Sequence, residues 1–61
     1  DGLLARVDGG TAPFTWLANG SPVAVSQRDR AVMLSGLGLG FVTLSVIDAT
    51  GRSARATVRL R

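Results

Sequence analysis

The sequence predicts an all-β fold, a small antiparallel sandwich or barrel, from three observations. Apolar and polar residues alternate over segments of about 5 to 8 residues, which is the periodicity of half-buried strands. Turn-forming residues separate these segments about every 8 to 12 residues. Residues 41–61 show the pattern most clearly, because two alternating segments flank the turn sequence Asp48-Ala49-Thr50-Gly51. We therefore expect this ribbon to form a half-buried hairpin.

Length and composition limit the chain to a single domain over residues 1–61. A chain of this size buries only about 60% of the surface that its unfolded form exposes, so its stability is marginal. Apolar residues make up 46% of the sequence and charged residues 18%, which is a globular composition and excludes a disordered chain. There is no cysteine, so neither a disulfide nor a thiolate metal site can stabilise the fold.

No segment of the sequence predicts a membrane anchor or a targeting signal. No apolar run approaches the roughly 18 residues that a membrane span needs, and Asp1-Gly2 does not resemble a signal peptide. We expect a module of a longer protein, without direct membrane insertion. All seven basic residues are arginine, and with four aspartates the net charge is +3, which indicates a mildly basic surface.

The N-terminal part of the chain contains two predicted strands. Residues 3–7 can alternate between two faces, and the turn formers at residues 8–11 end that segment. Residues 14–18 place both large aromatic side chains, Phe14 and Trp16, on one face. Two aromatic side chains on one face are typical of a strand that packs against a core.

Turn and edge signals organise the middle of the chain. Asn19-Gly20 is the dipeptide that best takes the positive φ angles of a two-residue hairpin turn. Pro22 predicts an edge strand or an irregular return path, with a short strand over residues 23–25. Residues 31–34 form an apolar run of strand length. A helix over residues 27–34 is the alternative, but that segment is short and flanked by glycine.

The two C-terminal strands are predicted in most detail. In the first of them, Val42, Leu44 and Val46 share the face toward the core. In the second, the residues expected to point inward are Ala54, Ala56, Val58 and Leu60. The residues expected to point outward are Ser53, Arg55, Thr57, Arg59 and Arg61.

The sequence lacks most of the side chains that act as nucleophiles or as general acids and bases in enzymes. It contains no histidine, cysteine, lysine, tyrosine or glutamate. General acid–base chemistry would therefore depend on four aspartates, three of them in turn or loop positions. These are Asp1, Asp8, Asp29 and Asp48. No residue is suited to activate a serine as a nucleophile. We expect no enzyme activity from this chain and no catalytic residue in it.

The glycine-rich segment suggests a phosphate-binding loop at first sight. Gly36, Gly38 and Gly40 alternate with leucine, but a dinucleotide fingerprint needs a different spacing and a following helix. A β-branched, alternating segment follows instead. We expect a flexible or bulged connection that binds no cofactor.

Three aspartates raise the possibility of a calcium site at one pole of the domain. Calcium needs about six to eight oxygen ligands, and no Asp-x-Asp or Asp-x-Asn-x-Asp cluster occurs. Turn formation explains Asp8, Asp29 and Asp48 more simply. We therefore expect no bound metal.

Four arginines near the C terminus form the one candidate interaction surface: Arg52, Arg55, Arg59 and Arg61. The last three project from one face of a strand, and such a row suits phosphates or carboxylates. The alternative is a solvated outer face whose charges deter edge-to-edge pairing. Nucleic-acid binders interleave such residues with exposed aromatic side chains, and we expect none here. Trp16 is either a core anchor or an exposed ligand platform.

Three segments resemble the C-terminal module of the penicillin-binding protein 1C family of bifunctional peptidoglycan synthases. Residues 14–23, Phe-Thr-Trp-Leu-Ala-Asn-Gly-Ser-Pro-Val, resemble its W-L-x-N-G-x-P-L hairpin. Residues 38–41 are similar to its G-x-G-F motif, and residues 44–54 to its L-x-V-x-D-x-x-G-R-S-A hairpin. The segments follow the family's order with comparable spacing and cover nearly the whole chain from Leu3 onward.

The resemblance implies a small immunoglobulin-like β-sandwich that serves as a non-catalytic accessory domain. It would lie in the periplasm as part of an inner-membrane-anchored protein, with the catalytic domains N-terminal to it. The implied partners are the parent transpeptidase domain, another envelope protein or peptidoglycan, and no nucleic acid. The family module usually has an additional strand before the position of Leu3. We therefore expect a sandwich that lacks one N-terminal edge strand or borrows it from neighbouring chain.

Two other functions are consistent with the residues themselves. One is a free-standing immunoglobulin-like or adhesin-type binding module of a secreted multidomain protein. The other is a nucleic-acid-binding barrel, whose affinity would fall steeply with salt.

Overall fold

The structure, a computed structural model, describes residues 2–38 and 40–60, and this part of the chain contains six β-strands. The strands are β1 (Gly2–Arg6), β2 (Phe14–Ala18), β3 (Ser21–Gln27), β4 (Ala31–Ser35), β5 (Gly40–Ile47) and β6 (Ser53–Leu60). All pairings are antiparallel and form a four-stranded sheet, β3-β2-β5-β6, and a two-stranded sheet, β1-β4. The structure confirms the predicted all-β class, with two packed antiparallel sheets.

The β2–β3 hairpin turns where the Asn-Gly dipeptide predicts it. Asn19 and Gly20 have φ angles of 50° and 84°, as a two-residue turn of type I′ requires. Asn19 also contacts the neighbouring strand β5. The Thr43 N–H donates to the Asn19 Oδ1 at 3.0 Å, and the Asn19 N–H donates to the Thr43 carbonyl at 2.8 Å. The turn is thus fixed to β5 in addition to joining its own two strands.

β3 is longer than the short strand that the sequence predicts at residues 23–25. It includes Pro22 and lies at an edge of the four-stranded sheet, where a missing N–H is tolerated. Its register against β2 shifts on both sides of Trp16, and Ser26 has a φ of 54°. These irregularities are typical of a bulged edge strand.

The segment after the β3–β4 turn is a strand, and so the alternative of a helix over residues 27–34 is excluded. Ala31–Ser35 form β4 and pair with β1, with Leu34 opposite Leu3. Residues 36–38 then have no regular structure and are followed by the strand β5. A phosphate loop at this position would lack the following helix that its chemistry requires.

Seven buried apolar side chains form the core between the two sheets: Ala5, Phe14, Trp16, Leu34, Val42, Leu44 and Val46. Phe14 is the most enclosed, with 1% of its surface exposed, and Trp16 follows at 4%. Of the two roles considered for Trp16, the structure therefore shows the core anchor. The three β5 residues confirm the predicted inward face of that strand, because each alternates with a more exposed neighbour.

The burial predicted for β6 is wrong for Ala54 and Ala56, although the alternation is right and Val58 is half-buried against the core as predicted. Ala54 pairs with Val46 and Ala56 with Leu44, so both alanines belong to the inner face of the four-stranded sheet. Both are nevertheless exposed. The small sheet explains this difference, because its two strands are too few to cover the inner face of all four strands of the larger sheet. The inner face of β6 is therefore left uncovered at Ala54 and Ala56 in the part of the chain that the structure describes.

Four predictions lie outside the described residues. They concern Asp1, Leu39, Arg61 and the side chain of Leu60.

Leu44→Ala tests the core between the two sheets. The substitution removes buried methyl groups and leaves a cavity, which costs about 2–5 kcal/mol of unfolding free energy. That loss is a large share of the stability of a domain this small. Ser45→Ala, at the next position and on the opposite face, is the matched control and changes the free energy by less than about 0.5 kcal/mol. Urea unfolding followed by Trp16 fluorescence measures both, and equal losses would contradict the assigned inner face.

Candidate functional site

The described arginines of the candidate surface form an extended row, not a cluster. Arg55 and Arg59 are exposed on the outer face of β6, where they pair with Ser45 and Phe41 across the ladder. They are four positions apart along the strand, which corresponds to about 13 Å. Arg52 precedes β6 at the far end of the row, and its backbone belongs to the β5–β6 turn.

An exposed aromatic side chain accompanies this row, so the expectation that none would do so is wrong. Phe41 is 73% exposed, and the Arg59 guanidinium lies 5.9 Å from the centroid of its ring. This distance is within the range of a cation–π contact. The alternation that places Val42 and Leu44 inward also places Phe41 on the outer face, so the sequence did carry this signal. The outer face of the sheet therefore presents an arginine and an aromatic ring side by side.

Asp48 is the most constrained polar side chain in the described part of the chain. Its Oδ2 accepts the Thr11 N–H at 3.0 Å, while its Oδ1 accepts the Thr50 hydroxyl at 2.8 Å. Oδ1 also accepts the N–H groups of Thr50 and Arg52, each at 2.9 Å. The side chain is 9% exposed. This pattern confirms the turn that the sequence predicts, and it adds a link to the β1–β2 loop that the sequence did not indicate.

These hydrogen bonds explain the acidity of Asp48. The Thr50 hydroxyl, together with the N–H groups of Thr11, Arg52 and Thr50, lowers the pKa of Asp48 from 3.8 to about 2 and outweighs the opposing effect of burial. A carboxyl group with so low a pKa does not act as a proton donor near neutral pH. Its oxygens are also occupied by local donors. Asp48 is thus a structural group of the turn.

Arg30 is a structural residue that sequence reasoning missed. Its guanidinium donates to the Gly9 carbonyl through Nη1 and to the Gly10 carbonyl through Nη2, the latter at 3.0 Å. The same guanidinium lies 5.4 Å from the centroid of the Phe14 ring. Arg30 therefore holds the β1–β2 loop over the core. In the sequence it stands in a polar stretch, and no periodicity distinguishes it from its solvated neighbours.

A groove runs between β1 and β6 along the uncovered inner face, and we call it the edge groove. Its volume is about 320 Å³. Residues 3–7 line one side of it, and Ala54, Ala56 and Val58 line the other. Trp16 lies between them, and its Nε1–H has no hydrogen-bond acceptor among the described residues. Sequence reasoning expected these β6 residues to be covered and so did not identify the groove.

The described residues do not bring together a set of metal ligands. In residues 2–38 and 40–60, no three or more acidic, histidine or cysteine side chains lie close enough to hold an ion. Asp8 lies instead beside Arg6, with its Oδ1 3.4 Å from the Arg6 Nε, and both side chains are largely exposed. An exposed pair of this kind contributes little to stability. What the arrangement offers chemically is surface for contact: an arginine row, an exposed ring and an apolar groove.

The fold defines a small all-β module. Comparison with family models assigns the chain: residues 1–60 match the penicillin-binding protein C-terminus family, and the chain belongs to that family. The family is a non-catalytic module of penicillin-binding proteins, which are associated with the cell envelope. Searches of curated proteins and of solved structures gave no significant match. No helix in the described residues is long and apolar enough to cross a membrane.

The pH dependence of stability tests the role of Asp48. Because its pKa is lower in the folded state, its contribution is complete above about pH 4 and is lost as the pH falls through about 2. Asp48→Asn removes the contribution of the ionised carboxylate. It also places an amide N–H₂, which is a donor, against backbone N–H groups that need an acceptor. We expect the variant to be less stable than wild type at pH 7 and the difference to shrink as the pH approaches 2. Urea unfolding at several pH values measures this.

Asp29→Asn is the matched control for that experiment, because Asp29 is an exposed aspartate in the β3–β4 turn. Its substitution should leave both the stability and its pH profile close to wild type. A loss of stability in Asp48→Asn that is the same at pH 2 and pH 7 would contradict the assignment, since the ionised carboxylate would then contribute nothing specific.

The contact between the two loops can be tested at Gly10. Gly9 and Gly10 both have positive φ angles, 84° and 78°, so alanine at either position costs about 1–2 kcal/mol in backbone strain. A Cβ on Gly10 would also lie 3.2 Å from both Asp48 Oδ2 and Phe14 Cε1, whereas one on Gly9 would have no atom within 4 Å. We expect Gly10→Ala to destabilise the fold by about 1–3 kcal/mol more than Gly9→Ala. Similar losses by thermal or urea unfolding would contradict the close approach.

Proposed function

We propose that this chain is a non-catalytic docking domain of a periplasmic peptidoglycan synthase of the penicillin-binding protein 1C type. In this proposal it is part of an inner-membrane-anchored protein whose glycosyltransferase and transpeptidase domains carry the chemistry. The match of residues 1–60 to the penicillin-binding protein C-terminus family supports this assignment. The family match favours this assignment over a free-standing adhesin-type module of a secreted protein.

The strand order supports the immunoglobulin-like part of the proposal. In immunoglobulin-type sandwiches, strands B and E are in one sheet, while C′, C, F and G form the other. The sheets β1-β4 and β3-β2-β5-β6 have this arrangement if β1 is strand B and β4 is strand E. The position of strand A, beside strand B, then corresponds to the edge of β1 that faces away from β4.

The exposed row of Arg55, Arg59 and Phe41 on the outer face is the observation that carries the docking role. Arginine has a planar set of N–H donors that can form two parallel hydrogen bonds to one carboxylate. An exposed aromatic ring adds apolar contact area. The inner face of the same sheet builds the core. One face thus supplies stability while the other remains free to meet the parent transpeptidase domain, another envelope protein or anionic peptidoglycan.

Charge reversal on the outer face tests the docking role. Arg55→Glu and Arg59→Glu, each introduced into the full-length protein, replace a donor to carboxylates with a repelling charge. A charge-assisted hydrogen bond contributes about 1.5–3 kcal/mol, so each variant should bind at least about tenfold more weakly. Sedimentation with purified peptidoglycan and cross-linking to the parent transpeptidase domain measure the two kinds of contact.

Arg28→Glu is the matched control, because it has the same net charge and alters an exposed arginine between β3 and β4, away from the row. It should behave as wild type. The docking role of the outer face is refuted if both row variants retain wild-type binding in both assays.

A further inference from the structure

An open hollow lies on the outer face of the four-stranded sheet, and we call it the outer hollow. Its volume is about 440 Å³. It is lined by Leu17 of β2, by Ser45 and Ile47 of β5, and by Ser53 and Arg55 of β6. β5 pairs with both β2 and β6 in this region. The outer hollow is therefore formed by three paired strands, on the face opposite to the core.

The strand register separates a polar side of the outer hollow from an apolar side. Leu17 pairs with Ser45, and Ser45 pairs with Arg55, so these three residues form a row across the sheet. Ile47 pairs with Ser53 in the next row, about 7 Å further along the strands. Leu17 and Ile47 are thus diagonal neighbours at one side, while the two serines and the arginine lie together at the other.

Arg55 is the charged residue of the outer hollow. It is exposed, and in residues 2–38 and 40–60 no carboxylate lies within salt-bridge distance of its guanidinium. Asp48, at the end of β5, is directed elsewhere, because its oxygens accept hydrogen bonds from its own turn and from Thr11. The N–H donors of Arg55 can therefore form two parallel hydrogen bonds to a carboxylate of a ligand.

These groups together suit a carboxylate that is attached to a small aliphatic group. The serine hydroxyls can donate hydrogen bonds to the carboxylate oxygens beside Arg55. Ile47 is 37% exposed and Leu17 is half-buried, so both offer apolar surface next to the polar side. The free end of a peptide has this form, because the terminal carboxylate and the last side chain share one carbon atom. A phosphate group would leave the apolar side uncovered.

We propose that the outer hollow binds the terminal carboxylate of the short peptides that peptidoglycan carries. Arg55, Ser45 and Ser53 hold the carboxylate. The methyl group of a terminal alanine packs against Leu17 and Ile47. This inference rests on the docking role proposed above and names the ligand class that the outer face recognises.

The open shape of the hollow favours a polymer over the single terminus of a protein. One arginine contact on an open face supports only weak binding, with a Kd of about 0.1–1 mM. At ordinary concentrations a protein C terminus would leave such a site mostly empty. Peptidoglycan carries many copies of its peptide along one polymer, so their local concentration is high even when each contact is weak. A second copy of this chain fits less well, because each copy has a net charge of +3.

The probe for the outer hollow is acetyl-D-Ala-D-Ala with a free carboxylate, which mimics the end of a peptidoglycan peptide. Its binding to the full-length protein is measured by saturation-transfer NMR, after the transpeptidase site has been blocked with penicillin. We expect saturable binding with a Kd of about 1 mM or below. The methyl protons of the terminal alanine should receive more saturation than the acetyl protons, because they lie against Leu17 and Ile47.

Altered ligands test the two sides of the outer hollow. Acetyl-D-Ala-D-Ala-amide has no carboxylate and should bind at least about tenfold more weakly. Acetyl-D-Ala-Gly keeps the carboxylate but lacks the terminal methyl group, and it should bind at least about threefold more weakly. Acetyl-L-Ala-L-Ala represents the C terminus of a protein. Binding of that peptide in place of the D form would assign the hollow to a protein ligand and overturn the proposal.

Variants of the full-length protein locate the contact. Arg55→Gln should weaken binding at least about tenfold, and Arg55→Lys should restore only part of it, because lysine lacks the paired N–H donors. Ser53→Trp fills the hollow and should weaken binding as strongly as Arg55→Gln. Arg28→Gln removes the same charge from an exposed arginine between β3 and β4 and should stay within about twofold of wild type. Thermal unfolding verifies that each variant is folded.

The proposal is overturned if acetyl-D-Ala-D-Ala shows no saturable binding up to about 10 mM, or if Arg55→Gln and Arg28→Gln bind it equally well. The docking role of the outer face is judged separately, by Arg55→Glu and Arg59→Glu in the sedimentation and cross-linking assays. If those variants lose binding while the dipeptide does not depend on Arg55, the docking role stands and the peptide site is refuted. If the dipeptide depends on Arg55 while both variants behave as wild type, the peptide site stands and the docking role is refuted.

Discussion

The carboxylate of Asp48 connects the β1–β2 loop to the β5–β6 turn at one end of the molecule, and the register of β6 depends on that connection. It accepts hydrogen bonds from the turn that it begins and from Thr11 in the β1–β2 loop. The Ala49 N–H donates to the Thr11 carbonyl at 2.8 Å, so the main chains are joined as well. This fixes the β5–β6 turn and, through it, the register of β6. That register decides which residues of β6 face inward and which arginines face outward.

The parts of the fold that are determined locally could be predicted from the sequence. The β2 strand, the Asn19-Gly20 turn and the Asp48 turn depend on residues within a few positions of one another, and all three form as predicted. Contacts between distant segments could not be predicted in the same way. The burial of β6 depends on how far the small sheet extends, and the roles of Arg30 and Gly10 depend on which loops meet. Alternation specifies a face of a strand and does not specify what covers that face.

The family assignment and the geometry answer different questions. The match over residues 1–60 establishes the kind of protein in which this module occurs, whereas the geometry indicates where the module can make contacts. It offers two surfaces of different character on one sheet: a charged outer face and an apolar inner margin. Arg55 connects them, because it projects outward from β6 and also lines the edge groove.

The described residues form two open sheets with four edge strands, β1, β4, β3 and β6, which are protected to different degrees against unwanted association. Proline and an irregular backbone interrupt the hydrogen-bonding pattern at the β3 edge, and repeated arginines discourage approach at the β6 edge. β1 and β4 have neither device, and the paired residues Leu4 and Met33 are each 64% exposed. We therefore expect aggregation of the isolated module to begin at the two-stranded sheet. The solubility of the isolated module on storage or heating would then depend on this small sheet more than on the larger one.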